Sequence, residues 1–221
     1  MSCSRRKSLS CVRCLTDEGC GIGSACALQA LLELLALLPA DWPAAVAVAL
    51  HLGPRSVLVP VLQARSLLPV QWAVSGTTLQ HRHVYAAPAG HHLIVNPDAS
   101  VTVSAAPRIR WFRPSADWLL HSGAASFGHR HVAIVLSGRM SDGALMLRQV
   151  KQHGGTVLAQ DPRTSGFPEM PRAAIATGCV DAVLPTRDMP GVMAQLFSTR
   201  TLRSDLASWE DPFGDPASLA S

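Results

Sequence analysis

The sequence predicts a doubly wound α/β domain, a mostly parallel sheet with helices on both faces. Three observations predict it. First, the second half alternates in period: 131–137, 156–160 and 180–184 read as strands, and 142–153, 171–177 and 188–197 as helices. Second, the strand runs lack polar alternation. The stretch from Ala44 to Leu50 is apolar throughout, as a strand buried on both faces requires. Third, 48% of the 221 residues are hydrophobic and 15% are charged, a composition that fills one large core and lies far from that of disordered chains.

Taken in order, residues 1–19 are polar, basic and cysteine-rich, with no period of 2 or 3.6, and read as an irregular N-terminal segment. Residues 20–197 form the domain. A helix is predicted over 26–38, with Leu28, Leu31, Leu32, Leu35 and Leu38 on one side and Gln29 and Glu33 on the other. Pro39 and Pro43 end it. A buried strand comes next at 44–51 and a helix at 55–66. Residues 70–104 change texture. Short runs at Val84-Tyr85-Ala86-Ala87, Leu93-Ile94-Val95 and Val101-Thr102-Val103 are split by Pro88, Gly90 and Asn96-Pro97-Asp98, which predicts a small antiparallel hairpin excursion. A loop at 107–114 precedes a helix at 115–126, and Gly154-Gly155 stops the helix that starts near 142. Residues 198–221 read as a flexible C-terminal tail.

Several function classes fall away. Basic residues are scattered despite a net charge of +4, and no Lys/Arg cluster interleaved with aromatics points to nucleic acid. No run of about 18 apolar residues predicts a membrane span. The start resembles a basic signal region at Arg5-Arg6-Lys7, but Thr16-Asp17-Glu18 denies it an apolar segment, so a cytoplasmic protein is expected. Five of six cysteines lie in the first 26 residues. Cys11 and Cys14 form a lone C-x-x-C without a second pair or nearby histidine, which reads as reduced thiols and no metal site. Gly21-x-Gly23 lacks the third glycine of a dinucleotide fingerprint, since Cys26 stands there, so no cofactor is expected. His91-His92 reads as a solvated turn, and Trp111, Phe112 and Trp118 as packing residues.

Ser24, His51 and Asp142 stand out because each falls where an apolar run meets a turn. If the runs are parallel strands, all three lie at the carboxyl edge of the sheet, where open α/β sheets bind ligands. Singly, Ser24 and Asp142 read equally as helix caps and His51 as a structural histidine. Together they fit a nucleophile, a base and an orienting acid: Ser24 at a helix N-terminus whose N–H groups hold an oxyanion, His51 moving the proton, and Asp142 fixing the imidazole.

Several stretches resemble the catalytic domain of CheB-type chemotaxis methylesterases. Gln29 through Asp41 looks like the helix after that family's nucleophile, and Val48-Ala49-Leu50-His51-Leu52 like the strand ending in its histidine. Val84-Tyr85-Ala86-Ala87-Pro88 with His92-Leu93 is similar to its V-Y-x-A-P…H-L, and Arg113-Pro114-Ser115-Ala116-Asp117 to its R-P-S-x-D. Leu136 through Gly143 looks like L-T-G-M-G-x-D-G, Gly154-Gly155…Ala159-Gln160-Asp161 like G-G…A-Q-D, and Met170 through Ala174 like M-P-R-A-A. The resemblance implies the same trio in the same roles. It also implies glutamyl methyl esters on methylated chemoreceptor helices as substrate, possible glutamine deamidation, and no cofactor. Two departures stand out. Ser24-Ala25-Cys26-Ala27 replaces both glycines that come after the serine in the family, and Arg139 replaces a methionine. They leave a second reading open, a catalytically impaired relative that binds a receptor or signalling partner. No receiver-like segment precedes the matching region in this sequence, so the regulatory partner is not specified.

Overall fold

The computed structural model describes residues 8–13, 23–50, 56–109, 111–139 and 144–207, with the backbone alone for 8–13, 23–27 and 200–207. Seven strands form one sheet in the order β3-β4-β2-β1-β7-β8-β9. They are β1 (Ser8–Arg13), β2 (Ala44–Ala49), β3 (Val70–Trp72), β4 (Val84–Ala86), β7 (His131–Val135), β8 (Thr156–Gln160) and β9 (Ala182–Leu184). Every neighbouring pair is parallel. Two further strands, β5 (His92–Val95) and β6 (Val101–Ser104), pair antiparallel as a separate hairpin.

The central strands alternate in size rather than polarity. In β2, Ala44, Val46 and Val48 face one layer while Ala45, Ala47 and Ala49 face the other. The first layer is formed by α1 (Gly23–Ala36), α2 (Leu58–Gln63) and α6 (Met189–Ala207), which bury Leu31, Leu34, Leu35, Leu62 and Met193 against Trp42 and the sheet valines. The second holds α3 (Ala116–Phe127), α4 (Leu147–Gln152), α5 (Glu169–Ala176) and the hairpin. Small alanines on this side leave room for Tyr85, Leu119, Leu120 and Phe127. Each fully buried leucine contributes about 1.5–3 kcal/mol of transfer free energy.

The hairpin turns at Asn96-Pro97-Asp98 as expected. Asn96 Nδ2 donates to Ser100 Oγ and Thr102 Oγ1 at 2.9 and 3.0 Å, and the Ser100 N–H donates to Asp98 at 2.9 Å. α3 holds it down: the Val95 N–H donates to Ser122 Oγ (3.1 Å) and Ser126 Oγ donates to the Val95 carbonyl (3.1 Å). Gly154-Gly155 ends α4 as the sequence indicates. Gly154 has φ +78°, and a Cβ on Gly155 would stand 2.8 Å from Val150 Cγ1.

Several elements depart from the sequence reading. Val84–Ala86 is not part of the antiparallel excursion; it lies between β2 and β3 in the parallel sheet, and only β5 and β6 are antiparallel. Ser8–Arg13, within the stretch that shows no period, pairs on both sides as β1. Pairing along two edges outweighs a weak local pattern. α6 continues to Ala207, ten residues beyond the expected helix end, while residues 208–221 of the expected tail lie outside the described residues. α2 and α4 are each six residues, shorter than expected.

Candidate active site

The strand order reverses at β1. On one side of β1 lie β2, β4 and β3, and on the other β7, β8 and β9. The gap between β1 and β7 at the carboxyl edge is therefore the topological switch point, where ligands of such sheets bind. Helix α1 returns from that edge to the start of β2, so its N-terminus sits there. The helix begins at Gly23, three residues earlier than expected, and Ser24 is its second residue. Ser24 thus lies among the first-turn N–H groups, which have no partner within the helix. Its side chain is outside the described structure. His51 and Asp142 also lie outside the described residues. The chain approaches them at the same edge, through Leu50 after β2 and through Leu136–Arg139 after β7.

β1 pairs with β2 and β7 in matching register, Val12 opposite both Val48 and Ile134. The three strand ends that lead toward the predicted residues are thereby side by side.

The segment leaving β7 is held by a set of hydrogen bonds centred on a buried one. Gln160, closing β8, accepts from the Ser137 N–H at 2.7 Å and donates through Nε2 to the Thr164 carbonyl at 3.1 Å. Ser137 Oγ accepts from the Phe167 N–H at 3.0 Å. The Gly138 N–H donates to the Phe167 carbonyl at 2.9 Å, and the Gly138 carbonyl accepts from the Met170 N–H at 3.0 Å. Arg139 lies over the Phe167 ring, 4.5 Å from its centroid. Ser137 and Gln160 are almost fully buried, so the bond between them is made away from water. Beside them, Asp161 receives the Arg163 side chain at 2.7–3.1 Å and its N–H at 2.9 Å. These contacts hold the Asp161 carboxyl below the usual carboxylate range.

A second buried group anchors α3, whose N-terminus lies at the same edge because its C-terminus leads into β7. His92 is fully buried. Its Nδ1 accepts from the Ser115 N–H at 3.0 Å, so the ring proton sits on Nε2 and donates to the Pro107 carbonyl at 3.1 Å. Its ring packs on Trp118 at 4.7 Å between centroids. The expected solvated turn at His91-His92 is therefore corrected: His92 is a strand residue in the interior, and the pair reads as polar only because sequence does not show which face each residue takes. Trp111 also departs from its expected packing role, being 83% exposed. Phe112 is buried and Trp118 half-buried, as expected.

Between α3 and α4 lies a pocket of about 280 Å³, lined by Ile109, Asp117, Trp118, His121, Leu145, Met146 and Gln149. His121 Nδ1 and Gln149 Oε1 join the two helices across it. Among the described residues no group of three or more His, Cys, Asp or Glu is placed to hold a metal, and Cys179 is a free thiol.

Sequence reasoning assigns no role to Gln160, His92 or Ser115. The available signal is a polar residue closing an apolar run, as in Val157-Leu158-Ala159-Gln160.

Comparison with known proteins matches the CheB methylesterase family model over residues 20–193. The chain is 34% identical over 169 residues to the protein-glutamate methylesterase FrzG of Myxococcus xanthus, covering 76% of this chain and 51% of that protein. It is 39% identical over 170 residues to a protein-glutamate methylesterase/protein-glutamine glutaminase of Anaeromyxobacter dehalogenans, covering 76% of this chain and 50% of that one. The chain thus spans about half the length of these relatives. The crystal structure of the Thermotoga maritima CheB methylesterase catalytic domain superposes with a TM-score of 0.78 at 27% identity, over 86% of this chain and 98% of that domain. In sequence and in the arrangement of its sheet, the chain belongs to the CheB methylesterase family.

Proposed function

We propose that the protein is a serine esterase that hydrolyses γ-methyl esters of glutamyl side chains on the cytoplasmic helices of chemoreceptors, and that it deamidates glutamine by the same acyl chemistry. The observation that carries this reading is Ser24 in the first turn of α1 at the switch point, flanked by the ends of β2 and β7 that lead to His51 and Asp142. Ser24 Oγ attacks the ester carbonyl while His51 takes its proton. First-turn N–H groups stabilise the oxyanion. His51 returns the proton to the departing methoxide, releasing methanol. Water then attacks the acyl-serine with His51 again as base, freeing the glutamate and regenerating Ser24. Asp142 holds the imidazole tautomer and stabilises the imidazolium. No cofactor is needed. A cytoplasmic location suits this substrate, and among the described residues no helix is long and apolar enough to cross a membrane.

The experiment is methanol release from methylated receptor. Wild type releases methanol, and Ser24→Ala lowers the rate by about 10³-fold or more. No release by a cooperatively folded wild type would leave a receptor-binding relative, with the replaced glycines after Ser24 as the physical reason.

A further inference from the structure

Two segments meet at the carboxyl edge where β7 ends. One is Ser137–Arg139, which leaves β7, and the other is Ser165–Pro168, which precedes α5. Phe167 is fastened to the first segment through both of its backbone groups. Its N–H donates to Ser137 Oγ, and its carbonyl accepts from the Gly138 N–H. The same carbonyl accepts from Ser165 Oγ at 2.8 Å. With its N–H and carbonyl both held, the Phe167 ring rises from a fixed base.

Arg139 uses that base. Its guanidinium carbon stands 4.5 Å from the ring centroid, inside the range at which the face of an aromatic ring attracts a cation. Both side chains are half-buried, which strengthens the attraction over that of a fully solvated pair. The guanidinium is flat and delocalised, a shape that stacks on a ring. Gly138 is tied through its N–H to Phe167 and through its carbonyl to the Met170 N–H. The stack carries the tie one residue further along the chain, to a point three residues before Asp142 in the sequence. Arg139 stands where the CheB pattern has a methionine, which has no charge to set over a ring.

We propose that Arg139 is a positioning residue: stacked on Phe167, it holds the segment that leaves β7 at the switch point and so supports the orienting acid that follows. This rests on the methylesterase reading for the reaction. The stack acts through the backbone it fixes and takes no part in the chemistry. An orienting acid matters most once the imidazolium has formed, in the transition state. Loosening it therefore lowers kcat and leaves ground-state binding of the ester unchanged.

The test combines methanol release from methylated receptor with amide hydrogen exchange resolved by NMR. Arg139→Ala lowers kcat about fivefold or more at unchanged KM. Phe167→Leu, which keeps an apolar side chain without an aromatic face, does the same, and the two together cost little more than either alone. Phe167→Tyr, which keeps the face, retains the wild-type kcat. In Arg139→Ala and Phe167→Leu the Gly138 and Met170 amides exchange about two- to fivefold faster, while those of β8 do not change. All variants melt cooperatively. Wild-type kcat in Arg139→Ala, costs that simply add, or unchanged exchange in both variants overturns the proposal. If wild type releases no methanol, the esterase reading fails by itself and exchange decides the stack: faster exchange in both variants upholds the hold on this segment, and unchanged exchange overturns it.

Discussion

The two faces of the sheet use the same strands for different ends. Beneath α1, α2 and α6 the interior is mostly leucine and valine, closed by Trp42, Phe197, Met189 and Met193. On the side of α3, α4 and α5 the inward residues of β2 are all alanine, and His92, Ser115 and Asp117 are buried among or beside the apolar groups. Burial of apolar surface is non-directional, so the first face supplies stability without fixing any one atom closely. Buried polar groups must meet partners at hydrogen-bond distance, so the second face fixes geometry. His92 joins β5 to the loop at Pro107 and to the start of α3, while Gln160, on the side of Leu158 but at the carboxyl edge, joins β8 to the segment leaving β7. One layer keeps the domain folded, while the other, with the carboxyl edge, positions the chemistry.

Substitutions in the leucine layer and at the carboxyl edge can break this division. Leu34→Ala removes a fully buried side chain from the leucine face and lowers stability by about 2–5 kcal/mol, read from the urea midpoint at unchanged slope. The folded fraction keeps its methanol-release rate. A loss below about 1 kcal/mol would show that this face is not the stabilising one. Gln160→Leu leaves the Ser137 N–H and the Thr164 carbonyl without their partner, at a cost of about 1–3 kcal/mol. Here kcat falls as well, because the segment leading to Asp142 loses its brace. An unchanged kcat alongside reduced stability would contradict the positioning role.

The smallest effect is electrostatic. Arg163 keeps the Asp161 carboxyl below its ordinary range, so the pairing stabilises the fold above the unfolded carboxyl value of about 3.9 and is lost as pH falls through the lower folded value. Arg163→Ala moves the Asp161 titration upward toward the ordinary range, measurable by carbon NMR. Because Arg163 is 89% exposed, the stability change at neutral pH is slight. An Asp161 titration that stays at its wild-type position would assign the shift to some other contact.

Much of this division is legible in the sequence, and for identifiable reasons. The run Ala44–Leu50 announces a strand covered on both sides, and its alternation of alanine and valine even distinguishes the two faces. Asn96-Pro97-Asp98 announces the hairpin through its own local hydrogen bonds. β1 is not legible, because its place is set by pairing with two strands distant in sequence. β4 reads as part of the hairpin because three residues carry too little period to show their partner. At the site, the neighbours of Ser24 alone place it at a helix start. The role of Gln160 requires Ser137, 23 residues away, and Trp111 reads as a core residue until its backbone conformation is known.

The esterase placement is tested most directly by active-site labelling with a fluorophosphonate serine probe and mass spectrometry of the modified peptide. One labelled residue is predicted, Ser24, with labelling lost in His51→Ala while the fold is retained. A folded protein that takes no label, or takes it at another serine independently of His51, would contradict the placement of an esterase at the switch point.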